Sequence, residues 1–290
     1  MDSTMNYLCT IGLNDIHKDK EQIMFKLKND EIRKAVRENY GKIAAGRTSC
    51  GCSTPSCCGK PVDVSLTDIS LGLGYSNMDV ADVPDGSNMG LGCGNPQAMA
   101  SLKSGETVLD LGSGGGFDCF LAARSVGQEG HVIGVDMTPE MITMSRENAE
   151  KGGFMNVDFR LGELENLPVA DGIADVIISN CVINLSPEKE RVFQEAFRVL
   201  KPGGRLAISD IVSTAELPDD IRNSMALHVG CIAGASSIQE LESMLHWAGF
   251  VNIQIKPKTE SRTFIRDWVP GSSIEDYVLS ATIEAVKPRP

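Results

Sequence analysis

From residue 106 onward, the chain alternates short apolar runs with segments in which apolar residues recur every three or four positions. The runs TVLDLG, HVIGVD, VDFRLG, ADVIISN and RLAISDIV are short and rich in branched residues, as buried β-strands are. Helical spacing fills residues 117–126, 139–151 and 187–200, and Thr138 is the predicted N-cap of the second helix. Strands that alternate with amphipathic helices predict an α/β fold with a doubly wound, mostly parallel sheet.

Two flanking regions have a different pattern. Residues 21–46 carry apolar residues at helical spacing and predict one or two amphipathic helices, followed by RTSCGCSTPSCCGKP, whose composition predicts a loop. After residue 213 the helical pattern IQELESMLHWAGF precedes the strand-like runs VNIQIK and DYVLSATIEAVK. We therefore predict an N-terminal helical and cysteine-rich extension (1–80), an α/β domain (81–212) and a smaller C-terminal α+β segment packed on the sheet (213–290).

Composition narrows the range of partners. The 290 residues are 42% hydrophobic and 23% charged, which is ordinary for a globular protein. A net charge of −12 argues against electrostatic binding to nucleic acid or to an anionic membrane surface. The sequence contains neither an apolar stretch of about 20 residues nor the pattern of a secretory leader. We expect a cytoplasmic protein that acts on a small molecule.

The first predicted strand runs into the glycine-rich turn DLGSGGG, and its spacing indicates the kind of nucleotide it binds. The dinucleotide fingerprint G-x-G-x-x-G requires a third glycine where this chain has Phe117. Asp110 precedes the turn, and a carboxylate there repels a pyrophosphate but pairs with an ammonium group. The pattern therefore favours a nucleoside with a positively charged amino-acid tail, S-adenosylmethionine, over a dinucleotide.

Other residues of this predicted cofactor site follow the ends of later strands. Asp136 ends the second strand, where it could accept hydrogen bonds from both ribose hydroxyls, and Glu163 follows the third, where it could accept from the adenine amine. The alternative is that Asp136 is only a helix-start acid and Glu163 a solvated loop charge. The predicted cofactor-binding residues are Asp110, Gly112, Gly114, Gly116, Asp136, Met137, Glu163, Leu164 and Asn180.

Several motifs carry a resemblance to known families. The series DLGSGGG, GVDMTPEMI, GELENLP, SNCVINL and LKPGG, between Val108 and Gly204, resembles that of class I S-adenosylmethionine methyltransferases. Together with these, VRENYGKIA, CCGKP, GLGCGNP and LHVGCIAGA are similar to stretches of the arsenite methyltransferase family, from about residue 34 to the C-terminus. The resemblance implies a Rossmann-like sheet, S-adenosylmethionine as methyl donor, and arsenic detoxification by methyl transfer to trivalent arsenic.

The same resemblance assigns roles to cysteines. It implies that Cys181 and Cys231 bind trivalent arsenic and that Cys93 can complete a three-thiolate site. It also implies that a cysteine of the N-terminal loop forms a disulfide with Cys93 during turnover, which thioredoxin or glutathione then reduces. Cys58 is our assignment for that partner among the loop cysteines, which are Cys50, Cys52, Cys57 and Cys58.

Thiolate chemistry is consistent with this assignment. Trivalent arsenic is soft, so thiolates capture it where oxygen ligands would not. Arsenic held by three thiolates keeps a lone pair that can displace a thioether from a sulfonium methyl group, and that displacement needs no general base. Methylation formally oxidises arsenic, and a cysteine pair can return two electrons by closing a disulfide.

Other interpretations of the cysteines remain open from sequence alone. Cys119 lies on an apolar helix and is predicted to be a small core residue, and Cys9 to be idle. The four loop cysteines could hold a structural zinc ion, although C-x-C-x4-C-C differs from the paired spacing of zinc ribbons. His228 is predicted to be a packed residue rather than a ligand.

Two functional alternatives are a C- or O-methyltransferase of another small molecule and a non-catalytic metalloid-binding protein.

Overall fold

The computed structural model describes residues 28–46, 65–269 and 271–290. Predictions that concern the N-terminal loop, including the role of Cys58 and the possible zinc site, lie outside these residues. The same holds for the cysteines at positions 9, 50, 52 and 57. Among the described residues, no helix combines the length and the apolar character that crossing a membrane requires.

Four helices precede the first strand in the described chain. Helix α1 covers residues 28–44, within the segment that the sequence predicted to be helical. The others are α2 (Leu66–Gly72), α3 (Asn77–Ala81) and α4 (Gln97–Ala100). The short helices α2 and α3 each begin at a serine N-cap whose hydroxyl accepts a backbone N–H, which satisfies a donor that a helix start leaves unpaired.

A single mixed sheet forms the centre of the described structure. Its strands are β1 (Thr107–Leu111), β2 (His131–Asp136), β3 (Val157–Leu161), β4 (Ala174–Asn180), β5 (Leu200–Ser213), β6 (Ser236–Ser237), β7 (Val251–Lys258) and β8 (Val278–Val286). The strand order is β3-β2-β1-β4-β5-β8-β7, with β6 paired to β5. The first five strands run parallel to one another, whereas β8 is antiparallel to β5 and to β7. The predicted doubly wound, mostly parallel sheet is confirmed.

Helices connect the strands, and the four longer ones lie in segments where apolar periodicity predicted a helix, whereas the three short ones were not predicted. The helices are α5 (Phe117–Val126), α6 (Pro139–Gly152), α7 (Lys189–Val199), α8 (Asp219–Arg222), α9 (Met225–Val229), α10 (Ile238–Ala248) and α11 (Arg262–Ile265). The bounds of α5 equal the predicted ones. Thr138 is the N-cap of α6, although its side chain makes no capping hydrogen bond. Residues 201–204, predicted as a turn, are included in β5.

The C-terminal segment is built into the same sheet as the α/β domain. Strand β8 pairs with β5 over nine residues, from Arg205 opposite Val286 to Ser213 opposite Val278. The predicted boundary at residue 212 therefore falls one residue before β5 ends. The division into three parts remains a prediction.

Alternation along the strands fills the core on both faces of the sheet. Leu109 and Ile133 belong to the cluster that packs against α7 and α10, whereas the adjacent residues Val108 and Val132 belong to the cluster around α5. A third cluster lies where β4 ends, and it contains three cysteines together with residues of α1, α8 and α11. The fold thus brings cysteines to the sheet edge where parallel strands end.

Candidate active site

A pocket opens at the carboxyl ends of β1, β2 and β4. Ligands of doubly wound sheets bind at this edge. Helix α1 contributes Arg33, Val36 and Tyr40 to its wall. The predicted site residues that line the pocket are Asp110, Gly112, Gly114, Asp136, Met137, Leu164, Asn180 and Cys181.

The glycine turn has no room for a side chain at Gly112. Gly112 has φ 74°, and a Cβ there would lie 2.4 Å from Cγ2 of Val182, so both its conformation and its space require glycine. Gly116 is outside the pocket lining and is the N-cap of α5, with φ 94°. The hydroxyl of buried Ser113 has no hydrogen-bond partner among the described residues, which leaves it available to a ligand in the pocket.

Three carboxyl groups surround this turn, of which Asp110 and Asp118 are buried and Asp136 is partly buried. Burial and the neighbouring charge of Asp118 raise the pKa of Asp110 well above its ordinary value, and burial raises the pKa of Asp118 to about 6. Burial also raises the pKa of Asp136, although its carboxylate accepts hydrogen bonds from backbone N–H groups. None of the three has an ion-pair partner in the described part of the chain. The pocket is therefore electrostatically suited to a cationic ligand.

Gly162 and Leu164 line the pocket, but Glu163 between them does not. Its carboxylate instead pairs with α1, 3.0 Å from Nη2 of Arg37 and 3.9 Å from Nε of Arg33. The predicted contact of Glu163 with an adenine amine would therefore require the carboxylate to change partners.

Arg33 fastens α1 to the loops that follow β3 and β4. Its guanidinium is 3.3 Å from Glu165 and also pairs with Glu188, while its side chain is only 14% exposed. Glu165 is 11% exposed and also accepts a hydrogen bond from the hydroxyl of Ser186. This partly buried ion-pair group holds α1 against the pocket.

The three cysteines predicted to bind arsenic are buried together. A disulfide joins Cys93 and Cys181, whose Cα atoms are 5.8 Å apart. The thiol of Cys231 donates to the carbonyl oxygen of Cys181 at 2.7 Å. Of the three, Cys181 also lines the pocket. The fold thus brings cysteines from three distant parts of the sequence into one buried cluster beside the pocket. The group of ligand atoms within 4.8 Å of one another contains the sulfurs of Cys93 and Cys181 but not that of Cys231.

Cys181 and Cys231 both have left-handed backbone conformations, with φ of 60° and 64°. Such a conformation costs a non-glycine residue about 1–2 kcal/mol, so surrounding contacts have to maintain it. The N–H of Cys181 donates to the carbonyl of Ser209 at 2.8 Å, and that of Cys231 donates to the carbonyl of His228 at 2.9 Å. Strain of this kind is typical of functional sites.

Asp210, fully buried on β5, anchors the turn that follows Cys181. Its carboxylate accepts from the N–H of Ile183 and from the side-chain amide of Asn184, each at 2.9 Å. Burial raises the pKa of Asp210 to about 6. A carboxylate oxygen of Asp210 and the sulfurs of Cys93 and Cys181 lie within 4.8 Å of one another.

Lys189 fixes the loop that follows Cys231. Its buried ammonium donates to the carbonyl of Gly234 and, at 2.7 Å, to the hydroxyl of Ser236. Burial lowers the pKa of Lys189, and the charge of Asp210 opposes that shift. Each of these two cysteine segments therefore depends on a charged residue from a neighbouring element.

Comparison with known proteins identifies the family. The family described as "Methyltransferase domain" matches residues 102–249. The arsenite methyltransferase of Halobacterium salinarum is 52% identical over 277 residues, which cover 93% of this chain and 70% of that protein. The chain belongs to the arsenite methyltransferase family. The predicted family and fold class are thereby confirmed.

More distant members of the arsenite methyltransferase family match as well. The arsenite methyltransferase of Aquipseudomonas alcaligenes is 39% identical, over 76% of this chain and 62% of that protein. A crystal structure of the arsenic(III) S-adenosylmethionine methyltransferase of Chlamydomonas reinhardtii has a TM-score of 0.56 and 32% identity, covering 76% of this chain and 73% of the other. The chain thus spans 62–70% of the length of the two curated relatives described here.

The two free thiols in the described part of the chain, Cys119 and Cys231, have different surroundings. Burial, reinforced by the charge of Asp210, raises the pKa of the Cys231 thiol well above its ordinary value, while Lys189 opposes the shift. Cys119 is fully buried, as predicted, but its thiol also donates to Asp110 at 3.2 Å. His228 is packed as predicted, with Nε2 3.4 Å from the carbonyl oxygen of Leu185.

Sequence reasoning missed several buried or partly buried polar residues of the candidate site. Asp210 lies in the apolar run LAISDIV and Asp118 in FDCFLAA, so an acid inside an apolar segment was the available signal. Arg33 and Lys189 had no comparable signal, because charges are common on helices. The missed residues are Arg33, Tyr75, Asp118, Lys189 and Asp210.

Proposed function

We propose that this chain transfers methyl groups from S-adenosylmethionine to trivalent arsenic bound by the thiolates of Cys93, Cys181 and Cys231. The observation that carries the proposal is the convergence of these cysteines beside a pocket lined by buried carboxyl groups. A pocket of that charge suits a cationic nucleoside, and a sulfur cluster suits a thiophilic acceptor.

S-adenosylmethionine fits the donor set of the pocket. When bound, it supplies an electrophilic methyl group on a positively charged sulfonium. Asp110 would pair with the ammonium group of its amino-acid tail, and Asp136 would accept from the ribose hydroxyls. Met137 and Leu164 would pack against the adenine. The carboxylate of Glu163 would accept from the adenine amine after it separates from Arg37. The other proposed contacts are with Gly112, Gly114, Gly116 and Asn180.

The chain contributes to methyl transfer by placing the two reactants next to each other and by excluding water. Each thiol loses its proton when its sulfur bonds to arsenic, so arsenic binding itself favours deprotonation of the buried thiols. Arsenic with three sulfur ligands keeps the lone pair that attacks the methyl carbon. The apolar cluster around the cysteines keeps water away, and the fixed loops hold the two reactants close together.

The disulfide between Cys93 and Cys181 supports a redox role for this pair. Oxidised sulfurs cannot bind arsenic as thiolates, so the disulfide has to be reduced before the substrate binds. Two electrons and two protons convert it into two thiols, and thioredoxin or glutathione is the proposed source. Transient pairing of Cys93 with Cys58 during turnover is a further part of the proposal.

Mass-spectrometric detection of methylated arsenicals tests the function directly. Purified protein would be incubated with arsenite, S-adenosylmethionine and glutathione, and S-adenosylhomocysteine would be measured in parallel. We expect Cys181→Ser to lower arsenic methylation at least about a hundredfold, because a hydroxyl cannot replace a thiolate toward arsenic. Cys9→Ser is the control for loss of a thiol elsewhere.

Two results would contradict the proposal. Arsenic methylation that survives Cys181→Ser would exclude thiolate capture at this position. Binding of arsenite with neither methylated product nor S-adenosylhomocysteine in the wild type would indicate a binding protein instead of an enzyme.

A further inference from the structure

The segment Gly92–Cys93–Gly94 is held by the side chain of Asn180, the last residue of β4. The backbone N–H of Cys93 donates to Oδ1 of Asn180 at 3.0 Å, and Nδ2 of Asn180 donates to the carbonyl of Gly94 at 2.9 Å. One side-chain amide therefore pairs with the cysteine segment through both its donor and its acceptor. This contact needs close approach, because a Cβ on Gly92 would lie 2.7 Å from Nδ2 of Asn180.

The contact works in only one orientation of the Asn180 amide. A 180° rotation about the side-chain bond would turn Nδ2 toward the N–H of Cys93 and Oδ1 toward the carbonyl of Gly94. Donor would then face donor, and acceptor would face acceptor. Loss of such a buried pairing is costly because water cannot replace the missing partners. The orientation of Asn180 therefore decides whether the Cys93 segment is held.

Asp118 and Tyr75 define that orientation from the opposite side. Oδ2 of Asp118 lies 3.2 Å from Nδ2 of Asn180, and an ionised carboxylate can only accept. The hydroxyl of Tyr75 donates to Oδ1 of Asp118 at 2.8 Å, so its oxygen is left to accept from Nδ2 of Asn180 at 3.0 Å. The two N–H groups of Asn180 thus face three acceptors, the Gly94 carbonyl included, so one N–H is shared. The carboxylate and the hydroxyl oxygen would both repel Oδ1 after a rotation.

We propose that Asp118 and Tyr75 are positioning residues that act through Asn180 to hold Cys93 beside Cys181. The importance of this placement for arsenic capture rests on the proposed function, whereas the placement itself does not. Asp118, Tyr75 and Asn180 also line the pocket, so the network joins the nucleoside site to the first cysteine of the thiol cluster. A ligand that contacts the network would therefore also affect the thiols.

The equilibrium between the two thiols and the disulfide measures how close Cys93 is held to Cys181. Two protein thiols reduce one glutathione disulfide, which gives the protein disulfide and two glutathione molecules, so atoms and electrons balance. The equilibrium constant rises with the effective concentration of one thiol at the other. Differential alkylation followed by peptide mass spectrometry counts Cys93 and Cys181 separately from other thiols, in the full chain with neither arsenite nor nucleoside added.

Variants of Tyr75, Asp118 and Asn180 test whether the first two residues act on Cys93 through Asn180. Tyr75→Phe and Asp118→Asn should each lower this equilibrium constant about fivefold to tenfold, as expected for one lost buried hydrogen bond. Asn180→Ala should lower it at least as much. In the Asn180→Ala background, Tyr75→Phe should have no further effect, because the side chain that connects Tyr75 to Cys93 is absent. A general loss of stability would not produce this dependence.

Asp175→Asn is the matched control. Asp175 lies on the same strand as Asn180 but at its other end, where it accepts from the N–H of Thr107 and pairs with Lys201. The proposal is overturned if Tyr75→Phe and Asp118→Asn stay within twofold of this control, or if Tyr75→Phe has its full effect without Asn180. Because arsenite is absent, a failure of the proposed function would leave this result intact, and the two failures are distinguishable.

Discussion

Asp110 and Asp118 interact electrostatically in a buried site, and no ion pair to either is found among the described residues. Burial penalises their charged forms, so the ligand-free protein keeps protons on these groups at a higher pH than a solvated aspartate would. With a pKa of about 6, Asp118 is largely protonated at pH 5 and largely ionised at pH 7. A cation in the pocket would favour the ionised forms.

We therefore predict that binding of S-adenosylhomocysteine, which carries an ammonium group, releases protons near pH 6. Its affinity should rise about tenfold between pH 5 and pH 7 if Asp118 alone must ionise, and should change little above that. Isothermal titration calorimetry in two buffers of different ionisation enthalpy measures the number of protons released. Asp158→Asn, which removes an exposed carboxylate, should leave that number unchanged. Proton uptake on binding would contradict the prediction.

Helix α1 is attached by charged contacts on one side and by apolar contacts on the other. Ile32 and Val36 pack into the cysteine cluster, while Arg33 reaches Glu165 and Glu188 across the pocket wall. Exposed ion pairs contribute little to stability, but removing one partner of a buried pair leaves an uncompensated charge. Because Arg33 and Glu165 are both mostly buried, this helix depends on their pairing.

Arg33→Ala should loosen α1 and open the pocket. We expect faster amide hydrogen exchange across residues 28–44 and a weaker affinity for S-adenosylhomocysteine, by about 1–3 kcal/mol if the bound state needs α1 in place. Lys34→Ala is the control, since the ion pair of Lys34 within the described part of the chain is an exposed one with Glu38, 3.8 Å away. Unchanged exchange in α1 after the Arg33 substitution would show that the apolar contacts suffice.

The elements best predicted from sequence are those that depend on residues close to one another along the chain. The bounds of α5 followed from a glycine turn and a mostly apolar helical segment, and both are local signals. Lys189 contacts Gly234, which is 45 residues away, and Asn180 contacts Cys93, 87 residues away. Such contacts exist only after the strands have been ordered in the sheet, which periodicity does not specify. Cys93 and Cys231 could be named in advance only through motif resemblance, whereas Cys181 also follows a predicted strand at the edge where doubly wound sheets bind ligands.

At the scale of the whole molecule, the C-terminal segment and the α/β domain share one sheet. Ile283 on β8 pairs in register with Ile208 of β5 on one side and with Ile255 of β7 on the other. Its side chain is 1% exposed and belongs to the same cluster as Leu109 and Ile133. Shared burial of this kind couples the segments, so we expect them to unfold together.

Ile283→Ala tests this coupling. Removing the buried methyl groups should lower the free energy of unfolding by about 2–4 kcal/mol. The two tryptophans, Trp247 and Trp268, both lie in the C-terminal segment, so fluorescence reports that segment while far-ultraviolet circular dichroism reports the whole chain. We expect the denaturant midpoints from both probes to coincide and to shift together in Ile283→Ala.

Ile133→Ala, at a buried position of β2 in the α/β domain, is the reciprocal variant. It should shift the tryptophan transition as far as the dichroism transition, although β2 is separated from β8 by three strands in the sheet order. If Ile283→Ala moves the fluorescence midpoint alone, or Ile133→Ala leaves it in place, the C-terminal segment unfolds as an independent unit. The predicted boundary near residue 212 would then separate two folding units within one continuous sheet.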